Sequence, residues 1–488
     1  MKVLLLNSPW INNDREYGVK AGTRWAALRK KDRSMPYFPF PYFLASSTAV
    51  LKKEGIDAHI KDAIAEEISR QECMNYIENF KPDVLVIEAF APSIYEDLSF
   101  MREAREITGC HSVFCGAHST ALPEEILKND FMDFVLRGEY DYTLRELINF
   151  LITGRRDFEK ISGLAYRENG LIKLNGRREQ IQNLDDLPFP ERDELPMHKY
   201  NEPFSKYYPN AKIVTSRGCP YNCIFCIEPF MYKDASYKKR SVNLVIEEIK
   251  IVHNKYGAKE VFFDDPIFTT SRAKEIAEAI LENDLRIAWS CWIDWNIGFD
   301  ELRLLKKSGC VGIKFGIESS NPEILKTAKK PVNINRVKEL IKNCRRVGLL
   351  RSGAFMFGLP GETQETMKNT IELAFSLDLT SCQLAIATPL PGTPFYKMAE
   401  DKGWLITKDW TKFECHYSCV VEYPNCKKEQ ILGAIELARQ KKVKQVLKNP
   451  LVAIRYIIKL YNLKGFKGFL KEFSRIGPFV FKALFSKK

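Results

Sequence analysis

The stretch Thr215-Ser-Arg-Gly-Cys219-Pro-Tyr-Asn-Cys223-Ile-Phe-Cys226 sets three thiols in one short loop, separated by three and then by two residues. Thiolates so spaced can wrap one face of a cubane, because iron–sulfur clusters are held by Cys thiolates. Three ligands for four irons leave one iron open to a chelating group, and the amino and carboxylate groups of S-adenosylmethionine are one such pair. Structural zinc normally closes its shell with four ligands, and no fourth Cys or His stands nearby in the sequence. The expected centre is therefore a [4Fe-4S] cluster on Cys219, Cys223 and Cys226.

The rest of the composition suits that chemistry. The chain has 13 cysteines, unevenly spaced. Its first ten residues are too short on apolar side chains for a signal peptide. A cytoplasmic protein keeps its thiols reduced, which argues for metal ligation rather than a disulfide framework. Cys415, Cys419 and Cys426 are spaced as a second cluster would need, but lie on no recognisable strand-to-helix loop and read as small buried apolar residues. The formal charge of +12 invites a nucleic-acid reading. From Lys427 onward, however, 16 Lys and Arg face 3 Asp and Glu, which leaves 58 against 59 in the remainder. The body is neutral and the charge belongs to a tail, so no specific nucleic acid is expected.

The elements that must position the thiols come in two series. Short apolar runs at 3–6, 59–60, 84–87, 112–115 and 134–136 alternate with helical stretches near 44–53, 95–107 and 142–151. Such alternation implies a parallel sheet with helices on both faces, a Rossmann-like, doubly wound α/β domain over residues 1–150. Residues 151–211 are polar and proline-rich and read as a connector. A second series begins at 212, with strands expected at 213–215, 261–263, 287–291, 312–317, 354–357 and 383–387, each followed by a helix or turn. This makes a partial (β/α)6 relative of the TIM barrel over 212–405, its chemistry on the loops at the carboxyl ends of the strands. Residues 406–488 form a helical region with a basic amphipathic tail.

Cys-x-x-x-Cys-x-aromatic-Cys after a first barrel strand resembles the radical S-adenosylmethionine superfamily. The resemblance implies that the three cysteines hold the cluster and that Phe225 lies against the adenine. Reductive cleavage of the sulfonium then yields methionine and a 5′-deoxyadenosyl radical that takes hydrogen from substrate. It also implies that Asp264 and Asp265, at the second strand end, meet the methionine ammonium, although the family's glycine pair is absent there. Ser290, read as ending the third strand, and Glu318, ending the fourth, resemble ribose contacts. Gly358-Leu-Pro-Gly361 resembles the adenine-contacting turn, and Pro389 closes the sixth strand.

A Rossmann-like unit ahead of such a barrel resembles the cobalamin-binding subfamily, which includes radical methyltransferases and some cyclases. The matching stretches are Gly116-Ala-His118-Ser119-Thr120, Arg137-Gly138-Glu139-Tyr-Asp141 and Leu184-Asp-Asp-Leu-Pro188. Ligands of doubly wound sheets sit outside the carboxyl ends of the strands. Cobalamin is thus expected against loops 7–12, 88–95, 115–119 and 137–143, with Ser8, Pro9, Gly116, His118, Ser119, Gly138 and Glu139 as candidate contacts. The loop after the first strand contains no His, and Asp57-Ala-His59 lies on the second strand with Asp62 where a glycine should be. The cobalt is therefore expected to lack a histidine ligand, with His118 the weaker alternative.

The function these residues imply is cobalamin-dependent radical methylation of an unactivated carbon. The rivals are a radical cyclase or ring-rearranging enzyme acting on a lipid or tetrapyrrole, and a cobalamin or iron–sulfur sensor without turnover. The expected partners are a small-molecule or lipid substrate and an external one-electron reductant such as flavodoxin or ferredoxin. In the tail, Phe466, Phe469, Leu470, Phe473 and Ile476 fall on one side of a helical wheel, with Lys464, Lys467, Lys471 and Arg475 on the other. That pattern suits either a helix lying on the inner membrane surface or one packed on the barrel with a solvated basic face.

Overall fold

The computed structural model describes residues 1–10, 17–20, 28–30, 37–232 and 236–448. Part of the loop at 7–12 and the whole amphipathic stretch 464–476 thus lie outside the described residues.

Val3, Leu4, Leu5 and Leu6 are all fully buried, as a strand covered on both faces requires. They form β1 (Lys2–Asn7), which joins β2 (Asp57–Asp62), β3 (Val84–Glu88), β4 (His111–Cys115) and β5 (Phe134–Leu136) in a parallel sheet. Helices α1 (Tyr42–Lys53), α2 (Arg70–Phe80), α3 (Ile94–Thr108) and α4 (Asp141–Ile152) cover it. Val3, Leu5, Val84 and Val86 share one apolar core with α1 and α4, while Leu4, Leu6, Leu85 and Ile87 share the other with α2 and α3. This is the doubly wound arrangement expected.

Residues 164–174, expected in the connector, instead extend that sheet. β6 (Leu164–Glu168) and β7 (Leu171–Leu174) add to its edge in antiparallel fashion, giving the order β2-β1-β3-β4-β5-β6-β7. A hairpin needs no crossover helix, so the βαβ rhythm that marks the preceding strands is missing here.

The second sheet has six parallel strands in sequential order: β8 (Asn210–Ile213), β9 (Glu260–Phe268), β10 (Ala288–Ile293), β11 (Cys310–Glu318), β12 (Leu350–Phe357) and β13 (Ser381–Ile386). It is curled as a half-barrel. Ile213, Val261, Phe263, Trp289, Ile313 and Phe315 pack outward on the helices α5 (Val242–Asn254), α6 (Thr270–Glu282), α7 (Phe299–Lys307), α8 (Ile334–Val347) and α9 (Gln364–Ser376). Alternate residues face the other way. There Lys212 pairs with Asp264 at 2.9 Å, and Lys314 with Glu202 of the connector at 3.1 Å.

Beyond the barrel the chain serves both cores. Trp410, Phe413 and Val420 are buried with the first sheet, whereas Val421, Tyr423 and Cys426 are buried with the second. The last described helix, α10 (Lys428–Lys448), rests on α9 and β13.

Candidate active site

The loop that carries the thiols leaves β8 and is held at its root by one carboxylate. Asp265 accepts from Thr215 N at 2.6 Å, Thr215 Oγ1 at 2.8 Å and Ser216 N at 2.7 Å. Gly218 follows at φ 81°, with the Ser236 carbonyl oxygen only 2.1 Å from where a Cβ would stand. A side chain there would force the loop away from the strand that returns beside it. Ile224 N donates to Ala328 O at 3.1 Å, and Tyr221 stacks on Trp295 at 5.7 Å. The three thiols are thus presented at the carboxyl end of the barrel.

Burial pushes all three thiols up, that of Cys219 to about 11. Bare thiolates are disfavoured there, and a bound cation must supply the compensating charge. A trio of soft sulfur donors, Cys223 buried and the other two half-buried, fits an iron–sulfur cluster. Among the described residues no three His, Cys, Asp or Glu side chains gather tightly enough for a single metal ion, whereas a cubane spreads its ligands over separate irons. Lys330 stands near Cys223 and Cys226, which help Glu318 keep it charged against its burial.

Within the chain the candidate S-adenosylmethionine contacts have partners of their own. Asp265 anchors the loop, and Asp264 is paired with Lys212. Glu318, at φ 65°, binds Lys330 at 3.1 Å through one oxygen, while the other is buried with no hydrogen-bonding partner among the described residues. Phe225 is buried in the barrel core. Gly358, at φ 91°, donates to Glu362 and accepts from the Tyr423 hydroxyl at 2.6 Å; Gly361 shares that φ, and a Cβ there would meet Ile324 Cγ1 at 4.0 Å. Pro389 is buried beyond β13. Ser290 requires a correction: β10 runs on to Ile293, so Ser290 lies mid-strand. Its hydroxyl donates at 2.6 Å to Glu260, the first residue of β9, at the opposite end of the sheet. The residue at the carboxyl end is Asp294, buried and accepting from Asn296 N at 2.8 Å. The β-forming Trp292 and Ile293 were the signal for this longer strand.

Between the two sheets lies a cavity that opens to solvent, about 820 Å³ with its mouth included. Its floor comes from the first sheet, with Glu88, Phe90, His118, Gly138, Glu139 and Tyr140. Its roof is Ile227, Glu228, Met231 and Tyr232, immediately behind the third cluster cysteine, together with Leu390 and Pro391. Of the candidate corrin contacts the structure brings His118, Gly138 and Glu139 to this wall. Gly116 and Ser119 stand just behind it, Ser119 bonding Cys115 O at 2.8 Å. Ser8 donates to Asp97 at 2.8 Å and accepts from the buried Lys20 at 2.6 Å, beside the half-buried Pro9. His59 is held between Asp57 and Glu194 on β2 and does not line the cavity.

The barrel side of the wall was illegible in the sequence, since nothing in Ile227-Glu-Pro-Phe-Met231 announces a partner. Two glycines admit this segment. A Cβ on Gly138 would stand 3.0 Å from Met231 O, and one on Gly392 would strike the Phe230 ring at 2.4 Å. Arg177 caps the segment by donating to Phe230 O at 2.5 Å and Met231 O at 3.1 Å.

One further contact joins the halves. Arg217, two residues before Cys219 and 1% exposed, reaches Glu139 at 2.6 Å, Asp141 at 2.7 Å and Ser46 Oγ at 3.0 Å. Glu139 also accepts from Ile181 N at 2.7 Å. Burial raises the Glu139 carboxyl even so, because it shares the one guanidinium with Asp141.

The comparisons agree with this geometry. Residues 213–374 match the model of the Radical SAM superfamily, and residues 37–148 that of the B12 binding domain. An uncharacterised methyltransferase of Pyrococcus horikoshii is 34% identical over 378 residues, 76% of this chain and 81% of its own length. The anaerobic magnesium-protoporphyrin IX monomethyl ester cyclase of Rubrivivax gelatinosus is 26% identical over 377 residues, 74% of this chain and 66% of its own. The fold is shared with the radical S-adenosylmethionine methyltransferase TsrM from Kitasatospora setae, solved with cobalamin and a [4Fe-4S] cluster. The TM-score is 0.66 at 20% identity, over 83% of this chain and 79% of that one. With a thiol loop on a half-barrel, a doubly wound sheet facing it across one cavity, and a relative 34% identical over 76% of this chain's length, the chain belongs to the cobalamin-binding radical S-adenosylmethionine enzymes.

Proposed function

We propose that the chain is a methyltransferase that adds a methyl group to an unactivated carbon of a small molecule. The observation that carries this reading is the shared cavity, whose floor is the corrin-type domain and whose roof directly follows the cluster cysteines. The Pyrococcus relative, itself called a methyltransferase, supports it. When bound, cobalamin supplies a methyl donor on one side, and the cluster with S-adenosylmethionine a source of a hydrogen-abstracting radical on the other.

The chain's own residues bring the two sides together. Arg217, locked to Glu139, Asp141 and Ser46, fixes the cluster loop against the first domain, so that a substrate carbon between them meets both at once. Asp265 sets the start of that loop, and Lys330 holds a positive charge beside its thiols. Phe90, Ile227, Met231 and Leu390 line the space with apolar surface that excludes water, which protects a radical from side reactions. A one-electron reductant, of the flavodoxin or ferredoxin class, starts each cycle.

The test is anaerobic: the protein reconstituted with iron, sulfide and a corrin is reduced and given S-adenosylmethionine with a deuterated methyl group and a metabolite extract. Release of 5′-deoxyadenosine together with a deuteriomethylated product is expected. A methylated product without 5′-deoxyadenosine overturns the mechanism. The Rubrivivax relative favours a second reading, ring closure, in which the product loses hydrogen and gains no carbon.

The finer reading of the substrate is a lipid or other apolar acceptor, supported by the basic amphipathic stretch 464–476. No helix among the described residues is long and apolar enough to cross a membrane. Sedimentation with anionic vesicles compares the full chain with one ending at Lys448, a cut that keeps α10 on the barrel. Equal binding removes the lipid reading.

A further inference from the structure

Among the described residues, His118, Glu88 and Tyr140 line the cavity between the sheets with a buried polar atom that has no hydrogen-bonding partner, and of these the Tyr140 hydroxyl lies against the Cys115 thiol. His118 is 2% exposed, and neither Nδ1 nor Nε2 meets a hydrogen-bonding atom among the described residues. Glu88 is 5% exposed, and its Oε2 is likewise unbonded. Both line the same cavity, opposite Ile227, Met231 and Leu390. Buried polar groups are almost always bonded, and each exception calls for a reason. His118 and Glu88, facing one apolar-walled space, mark where the polar atoms of a ligand belong.

Their charge state narrows the ligand. Burial pushes His118 down to about 3 and Glu88 up to about 8, although Lys20 pulls Glu88 the other way. Near neutral pH the imidazole is uncharged and the carboxyl keeps its proton. Each then offers one donor and one acceptor. The backbone makes room for this arrangement. Gly116 stands at φ 97°, and a Cβ there would lie 2.9 Å from Glu88 Cγ, so only glycine lets Glu88 pass beneath the short helix that carries His118.

A flat ring system, apolar on its faces and edged with carboxamides, matches such a site, since every carboxamide is itself both donor and acceptor. The inference rests on the reading that the chain binds a corrin. Ligation of the metal by His118 is the competing role. A metal-binding His almost always donates its second ring nitrogen to a carboxylate or carbonyl that orients it. His118 has no such orienter and packs edge-on against Trp410 at 5.3 Å. We propose that His118 and Glu88 bind the carboxamide rim of the corrin as a pair of uncharged hydrogen-bonding groups, and that neither ligates the cobalt.

The experiment uses the full chain, anaerobically, with cob(II)alamin and with cob(II)inamide, which has the ring and its amides but no nucleotide tail. Affinity is read by absorbance and the cobalt environment by electron paramagnetic resonance. Binding of either corrin by the wild type tests the family reading; if neither binds, that reading fails before the inference is reached. Given binding, His118→Ala and Glu88→Ala are expected to weaken both corrins about tenfold each, the worth of one hydrogen bond to a buried partner. Glu88→Gln and His118→Gln keep an uncharged donor and acceptor and are expected to stay within about threefold of wild type. Circular dichroism of each variant separates lost contact from lost fold, and the two Gln variants decide the matter if the Ala variants unfold. Bound cob(II)inamide is expected to show no nitrogen splitting, with the same spectrum in His118→Ala. A splitting in the wild type that vanishes in His118→Ala overturns the inference, as does wild-type affinity in both Ala variants. Weakened cobalamin with unchanged cobinamide also overturns it, because the pair would then read the tail.

Discussion

Glu139 and Glu88 lie on the wall of the same cavity, yet their surroundings are opposite. Glu139 is bonded through both oxygens, to Arg217 and to Ile181 N, whereas Glu88 has a buried oxygen that no atom of the described residues bonds. The satisfied side welds the sheets together: it fixes how far the thiol loop stands from the first domain. The unsatisfied side is reserved, because a pocket that bonded all its own polar groups would have none left for a ligand. Rigid spacing and free valence are thus built side by side, from residues of one chemical type, by placing or withholding a single guanidinium.

The sharpest way to separate the two sides is to remove the thiols. With Cys219, Cys223 and Cys226 all changed to Ala, cleavage of S-adenosylmethionine is expected to fall to the protein-free rate and bound iron to vanish, while corrin affinity stays. Loss of corrin binding as well would show that the two halves of the cavity do not form independently. Next comes the weld. Arg217→Met leaves two buried carboxylates without their cation and is expected to cost about 3–5 kcal/mol, read from urea unfolding. Glu88→Gln, on the reserved side, should cost no stability.

A smaller effect is expected at the loop root, where Asp265→Ala removes the acceptor of three bonds, two of them from backbone donors. A loss of about 2–4 kcal/mol is expected, with iron content per chain reduced at constant corrin content. The last prediction concerns Glu362, buried, with one oxygen unbonded and its carboxyl pushed up to about 8 by burial. Its proton is held in the folded state and lost from the unfolded chain above the ordinary carboxylate range. Stability therefore declines as pH rises from about 4.5 toward 8, by about 1.4 kcal/mol per unit at most. Glu362→Gln removes that decline, so urea midpoints of variant and wild type should diverge progressively from pH 5 to pH 8. Parallel profiles would mean that Glu362 titrates alike in the folded and unfolded chain.

The contrast between the two sides also explains what could be seen in the sequence. Cys219, Cys223 and Cys226 are adjacent, and their spacing alone specifies a chemistry, while the βαβ rhythm specifies both parallel sheets. Arg217 is just as close to the thiols, but its meaning lies in Glu139 and Asp141, which belong to another sheet. Glu88 reads as the end of an apolar strand and acquires significance only once nothing is found beside it. Ser290 was misplaced because a strand end is a weak local signal, and 164–174 because an antiparallel hairpin interrupts the rhythm. Local patterns report elements and clustered ligands; a wall assembled from distant segments leaves no trace in any one of them.

Trp410 closes on His118, and thirteen residues later Tyr423 closes on Gly358, so one late stretch of chain buttresses both halves. During synthesis neither half is finished when its own strands have left the ribosome, since the last side chains of each core arrive together, after residue 405. The two halves should therefore mature as a single event, and a corrin or cluster inserted before that moment would enter an unclosed protein. Swapping the first sheet for that of a relative should accordingly fail unless the strap from 404 to 426 is exchanged with it.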